Sequence, residues 1–204
     1  MSKSTIGILV FEGAEELDFV GPYEVFTMVN ATLGEGDSPL NEVLLISEDG
    51  GDVICNKGMR IGAHYAMAEA PPLDVICVPG GSGSRAMIER KPVVDWLAAI
   101  AADCTWVTSV CTGAMLLAAA GLTEGRRITT HWAAVNEFAE RGLPGALQQG
   151  PRYVRDGNLV TAAGVSAGID MALWLTGQMH GVERARRTQK AMEYNPAPPY
   201  TADV

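Results

Sequence analysis

Residues 105–113, TWVTSVCTG, decide the fold. The first six form a β-branched, apolar run of the kind that makes a strand buried on both faces in a parallel sheet. From Thr112 onward the chain becomes an Ala/Leu-rich helical stretch that stops at Gly121, a residue suited to a helix C-terminus. Cys111 therefore falls at a strand-to-helix elbow. Such an elbow lifts its side chain above the carboxyl edge of a sheet and turns the first N–H groups of a helix toward it. A helix N-terminus favours the thiolate over the thiol, so Cys111 is the candidate nucleophile.

A free cysteine also serves as a small buried hydrophobe. The other three take that reading: Cys77 lies within a strand, Cys104 at the start of another and Cys55 in a hairpin region, none at an elbow. They form no CxxC pair, and a reducing compartment disfavours disulfides.

Outward from the elbow the same pattern repeats. Residues 74–78 (DVICV) form an apolar strand that breaks at Pro79-Gly80-Gly81, and Pro92 opens a helix through Ala102. Residues 5–11 (TIGILVF) read as a central strand. A helix follows from Gly21 to Asn30, with Pro22 in its first turn and Val25, Phe26 and Val29 on one face. Residues 42–47 make another strand, followed by a hairpin-like excursion around Gly50-Gly51 that includes Met59 and Ile61. Beyond the elbow, residues 132–141 read as a helix closed by Gly142. Residues 153–162 form a hairpin through Asp156-Gly157-Asn158, and Ser166 caps a helix running to about His180. Alternating strands and helices of this length predict an α/β domain over residues 1–204, with a mostly parallel sheet, helices on both faces and a Pro-rich tail at 195–204. Ligands bind such sheets beyond the carboxyl ends of the strands.

Several residues converge on that edge. Gly80 and Gly81 let backbone N–H groups approach a reacting atom and stabilise developing negative charge, although turn-forming is the usual duty of a glycine pair. Asp18, with Glu15 and Glu16 close by, brings a carboxylate there, and the sequence does not choose among the three acids. His131, before a helix, serves either proton transfer or, more modestly, a hydrogen bond in the pocket wall, and the modest role is favoured. His64 and His180 lie far from it and from any cysteine pair, so no zinc site is expected. There is no GxGxxG and no Walker loop.

The 24 acidic and 15 basic residues give a net charge of −9, which disfavours nucleic acid as a partner. Arg184, Arg186, Arg187 and Lys190 spread around the polar face of a helix and make no cleft. The N-terminus lacks a secretory cleavage pattern, and no apolar run reaches about 18 residues, so a cytoplasmic protein without membrane partners is expected.

Taken together, these features resemble the DJ-1/PfpI superfamily: GAEELD at 13–18, PGG at 79–81, the Cys111 elbow and TTH at 129–131. Within it, LDFVGP at 17–22, SVCTG at 109–113, THW at 130–132 and EYNPAPPY at 193–200 are similar to the isocyanide hydratase branch. The resemblance implies a flavodoxin-like three-layer sandwich and a homodimer. It also implies Cys111 as nucleophile, Asp18 as its acid/base partner, Thr112 as a neighbour and Gly81 as a backbone donor. Asp18 stands where DJ-1 has Glu, and Thr112 where PfpI-type proteases have His; both departures favour the hydratase branch.

The implied reaction joins Cys111 to the carbon of a small uncharged isocyanide, giving a thioimidate that water resolves to an N-substituted formamide without metal or organic cofactor. Apolar residues near the elbow suit such a substrate. Two rivals share the same cysteine: a glyoxalase- or DJ-1-like activity on reactive carbonyls, and a non-catalytic sensing domain like those fused to AraC-type regulators. Against the second, no helix-turn-helix module is expected after the tail and there is no basic recognition face.

Overall fold

In the computed structural model, which describes residues 3–196, seven strands make one sheet. They are β1 (Ser4–Leu9), β2 (Asn41–Ser47), β3 (Tyr65–Ala66), β4 (Val75–Val78), β5 (Trp106–Val110), β6 (Tyr153–Asp156) and β7 (Leu159–Ala162), in the order β6-β7-β5-β4-β1-β2-β3. Every pairing is parallel except β6 with β7, the hairpin. Along the sheet the five long parallel strands run second, first, third, fourth, fifth in chain order, the flavodoxin-like arrangement. Strand order reverses between β1 and β4, where such a fold opens a crevice.

Seven helices accompany the sheet: α1 (Glu16–Ala31), α2 (Ser84–Met87), α3 (Lys91–Asp103), α4 (Gly113–Ala119), α5 (Val135–Glu140), α6 (Ala167–His180) and α7 (Val182–Ala191). The step from β1 to β2 runs opposite to the step from β4 to β5, so right-handed crossovers put α1 and α3 on opposite faces. Helices α1, α6 and α7 pack together, as do α2, α3 and α4. The result is a three-layer sandwich. Its core is the apolar interior of β1, β4 and β5, including Ile6, Ile8, Ile76 and Val110, all fully buried.

The structure corrects three local expectations. Helix α1 starts at Glu16, so Pro22 lies inside the helix and not in its first turn. Pro22 lacks the N–H that would bond the Asp18 carbonyl, a loss offset by packing against α6. A Cβ on Gly21 would stand 2.9 Å from Ile169 Cγ1, and one on Gly168 would stand 2.9 Å from Val110 Cγ2 and 3.3 Å from Pro22 Cγ, so glycines permit this close contact. The helix expected at 132–141 is split into a 3-10 turn, Trp132–Ala134, and α5. Ser166 precedes α6, but its hydroxyl caps nothing; it accepts from both Nη atoms of Arg152 at 3.2 Å. Short α2 was not foreseen. The excursion after β2 is a hairpin, Val53–Ile54 against Arg60–Ile61, as expected. Of the tail, residues 197–204 lie outside the described residues.

Candidate active site

Cys111 sits between β5 and α4 with φ +57, a left-handed conformation unusual for a residue with a side chain. The surrounding bonds enforce it. Its N–H donates to the Ala162 and Ala163 carbonyls at 3.1 and 2.9 Å, and its carbonyl accepts from Thr130 Oγ1 at 2.8 Å. Two glycines let the neighbouring loops close on the elbow: a Cβ on Gly113 would collide with the Val78 carbonyl, and one on Gly80 with the Thr112 amide.

Asp18 reaches the same point from the first turn of α1 and is fully buried. Its Oδ2 accepts the Gly80 N–H at 2.9 Å, while Oδ1 is buried without a partner. Burial, and then the charge on Glu15, push its carboxyl up to about 7, against the pull of the Gly80 N–H, the Cys111 thiol and Lys57. Burial, and then the Asp18 charge, push the Cys111 thiol up to about 12, against the N–H groups of Thr112 and Val165 and the Thr112 hydroxyl. Burial beside a carboxylate thus opposes the thiolate that a helix N-terminus favours. Helix α4 has only seven residues, and its N–H groups do not outweigh burial beside a carboxylate. The pocket accepts one negative charge and resists a second: as pH rises past neutrality the carboxyl gives up its proton first and the thiol keeps its own.

The three acids differ in their surroundings. Burial pushes Glu15 up, but hydrogen bonds from Lys57 and Asn56 outweigh it and hold the carboxyl below its usual range. Glu16 Oε1 accepts the Lys57 N–H at 2.7 Å and the Met59 N–H at 3.4 Å. Both glutamates thus tie the hairpin excursion to the site, and of the three acids Asp18 is the one whose charge bears on the Cys111 thiol.

Gly81 does not supply a free donor. Its N–H goes to Thr112 Oγ1 at 3.0 Å, and its φ of +120 with no room for a Cβ beside the Gly13 carbonyl fits it for close approach to the start of α1. Gly80's N–H is likewise committed to Asp18. The amides of Thr112 and Val165 act on the sulfur instead. Thr112 is buried and also accepts from Ser84 Oγ at 3.0 Å. His131 is half-buried: its Nδ1 accepts the Ala133 N–H at 3.2 Å and its ring packs over Gly164, where a Cβ would collide with it. It forms part of the wall.

Cys111 opens into a cavity of about 540 Å³ whose wall includes Glu15, Asn56, Lys57, Ser82, Arg85 and His131 against only Ala133, Ala134 and Val165 as apolar groups. The cavity wall is thus mostly polar and charged, and the apolar surround expected near the elbow is reduced to these three residues. Asn56, Lys57 and Val165 reach the site from segments with no local signal for it, while Ser82 and Arg85 follow the glycine loop without a motif of their own. Val165 has φ +49, a backbone state that no local motif announces. Among the described residues no cluster of His, Cys, Asp or Glu could hold a metal ion.

Fold and site define a doubly wound α/β protein with a buried cysteine–carboxylate pair at a strand-to-helix elbow. Residues 4–178 match the model of the DJ-1/PfpI family, and the chain belongs to that family. It is 40% identical over 195 residues to an isonitrile hydratase of Pseudomonas putida, covering 96% of this chain and 80% of the relative. It is 29% identical over 177 residues to the HTH-type transcriptional regulator CdhR of Pseudomonas aeruginosa, spanning 87% of this chain and 51% of that protein. Among solved structures, a ThiJ/PfpI family protein from Pseudomonas syringae superposes with a TM-score of 0.88 at 29% identity, over 100% of this chain and 80% of that one. Drosophila melanogaster DJ-1beta shares the fold, with a TM-score of 0.82 at 22% identity over 96% of this chain and 100% of that one.

Proposed function

We propose that this protein hydrates isocyanides to N-substituted formamides, with Cys111 as nucleophile and Asp18 as its proton carrier. The observation that carries the reading is the buried, electrostatically coupled Cys111–Asp18 pair in a chain 40% identical to an isonitrile hydratase. Isonitrile and isocyanide name the same functional group.

An isocyanide carbon accepts a soft nucleophile and then carries a lone pair that takes a proton. Asp18 removes the thiol proton as sulfur bonds to that carbon, and returns the proton to the same carbon, leaving a thioimidate. Water then adds to the C=N carbon, and Asp18 takes one of its protons and passes it to the nitrogen. The C–S bond breaks as the carbonyl forms, and Asp18 carries the hydroxyl proton to sulfur. One isocyanide and one water become one formamide, and the pair ends with the proton it started with. A carboxyl that titrates close to neutrality suits both directions of transfer. The Thr112 and Val165 amides favour negative charge on the departing sulfur.

Purified protein offered an aryl isocyanide and, separately, methylglyoxal tests the reading by the appearance of formamide or lactate. Turnover of methylglyoxal alone moves the assignment to a glyoxalase. Turnover of neither, with Cys111 intact, favours a sensing domain, the alternative supported by the match to a transcriptional regulator. A second copy of this chain is the proposed partner; exposed Leu17, Val20 and Trp132 are apolar surface for it, and light scattering that gives only monomer mass removes the dimer.

A further inference from the structure

The Gly80–Gly81 turn serves two masters. Its first N–H holds Asp18 Oδ2 at 2.9 Å and its second holds Thr112 Oγ1 at 3.0 Å. Two consecutive glycines, one at φ +120, give the turn little stiffness of its own. Its restraint comes from outside. The Gly81 carbonyl accepts from Ser84 Oγ at 2.8 Å and from Arg85 Nη1 at 3.1 Å. Arg85 Nε in turn reaches both Glu137 oxygens, at 3.1 and 3.2 Å, and Arg141 Nε steadies Glu137 from the far side at 2.9 Å. An ordinary surface ion pair contributes little. This one is a partly buried fork on a carboxylate, with another guanidinium nitrogen spent on backbone, a geometry that fixes position as well as charge.

We propose that Arg85, held by Glu137, is a positioning residue that locks the Gly80–Gly81 turn in the geometry serving both Asp18 and Thr112. The inference rests on Asp18 being the base for Cys111. Arg85 follows the turn on α2, and Glu137 lies on α5 beyond the His131 segment, so the pair also staples together the two loops that wall the cavity.

The test uses the whole chain and does not depend on any substrate. Alkylation of Cys111 by iodoacetamide is followed against pH by peptide mass spectrometry. Its rate rises as Asp18 ionises and becomes able to take the thiol proton. The Gly80 N–H favours the carboxylate, so loosening the turn makes Asp18 ionise at higher pH. Arg85→Met is expected to move the midpoint upward by about one pH unit, the size of a partly lost charge-assisted hydrogen bond. Glu137→Gln should move it the same way by less, and Arg85→Lys, which keeps one donor for the Gly81 carbonyl, should recover part of the loss.

A merely structural ion pair would lower the melting temperature and leave the midpoint in place. A folded Arg85→Met with the wild-type midpoint overturns the proposal, and so does an equal shift in Arg90→Met, which removes the exposed ion pair with Glu48. If Arg85→Met does not fold, Glu137→Gln decides on the same criterion. Asp18→Asn separates the two levels. If the midpoint persists without Asp18, the base assignment fails and this inference with it; if it vanishes there but stays unmoved in Arg85→Met, only the inference fails.

Discussion

Gly80 donates its N–H to Asp18 Oδ2 across 2.9 Å, while the other carboxyl oxygen of Asp18 is buried with no partner. One half of the carboxylate is anchored and the other is left for a proton. The backbone that anchors it belongs to the loop after β4, so the Asp18 carboxyl on α1 is aligned by a neighbouring strand's loop.

Cys111→Ala should retain the fold and lose isocyanide turnover by about 10⁴-fold or more, since no other thiol stands at an elbow. Cys77→Ser should keep its turnover and lose about 1–3 kcal/mol of stability, because a hydroxyl replaces a thiol at a fully buried position. Formamide production and denaturant unfolding of both variants check the pair of outcomes.

Asp18→Glu pushes the carboxyl about one methylene into a site with no exposed surface. Both the Gly80 bond and the distance to sulfur change, so turnover should fall by about 10²-fold at unchanged pH. Wild-type kcat in this variant would show that the carboxylate position is not critical.

Stability should report the cost of keeping Asp18 ionised. Its folded-state value of about 7 lies above the ordinary 3.8, so the folded protein holds this proton more tightly than the unfolded chain does. Its contribution to stability is therefore fully favourable at low pH and is lost as pH rises between about 4 and about 7. Asp18→Asn removes that loss. At pH 8 the variant should be more stable than wild type by up to about 4 kcal/mol, with the advantage gone near pH 4. Denaturant melts at both pH values measure the difference, and an Asn variant less stable at pH 8 would contradict the assigned direction.

Gly113→Ala should cost about 3 kcal/mol or more, since its Cβ would collide with the Val78 carbonyl and push the elbow off β4. Gly121→Ala is the comparison: nothing crowds that position, and its φ of +74 alone should cost about 1 kcal/mol. Thermal unfolding of the two variants separates close packing from backbone conformation.

The elbow, the glycine loop after β4 and the parallel sheet were legible in the sequence because each is a local pattern: a β-branched run, a pair of glycines, a helix that starts where the run ends. Cys111 stood out for the same reason. The boundary of α1 was misread because Pro22 signals a first turn locally, whereas packing of Gly21 and Pro22 against α6 lets the helix begin five residues earlier. That shift carries Asp18 from a loop onto a helix.

What the chain's own order determined was which side chains could do chemistry and which edge of the sheet they would occupy. Only the tertiary structure decided how they act. It separated Asp18 from Glu15 and Glu16 by burying one and pairing the others with residues about 40 positions away. It turned the Gly81 N–H toward Thr112, and it buried Cys111 beside a carboxylate, which opposes the thiolate that a helix terminus favours. Propensity and pattern act between neighbours in sequence, but hydrogen-bond partners and the cost of a buried charge depend on every group within a few ångströms, and the fold assembles those groups from segments far apart in the chain.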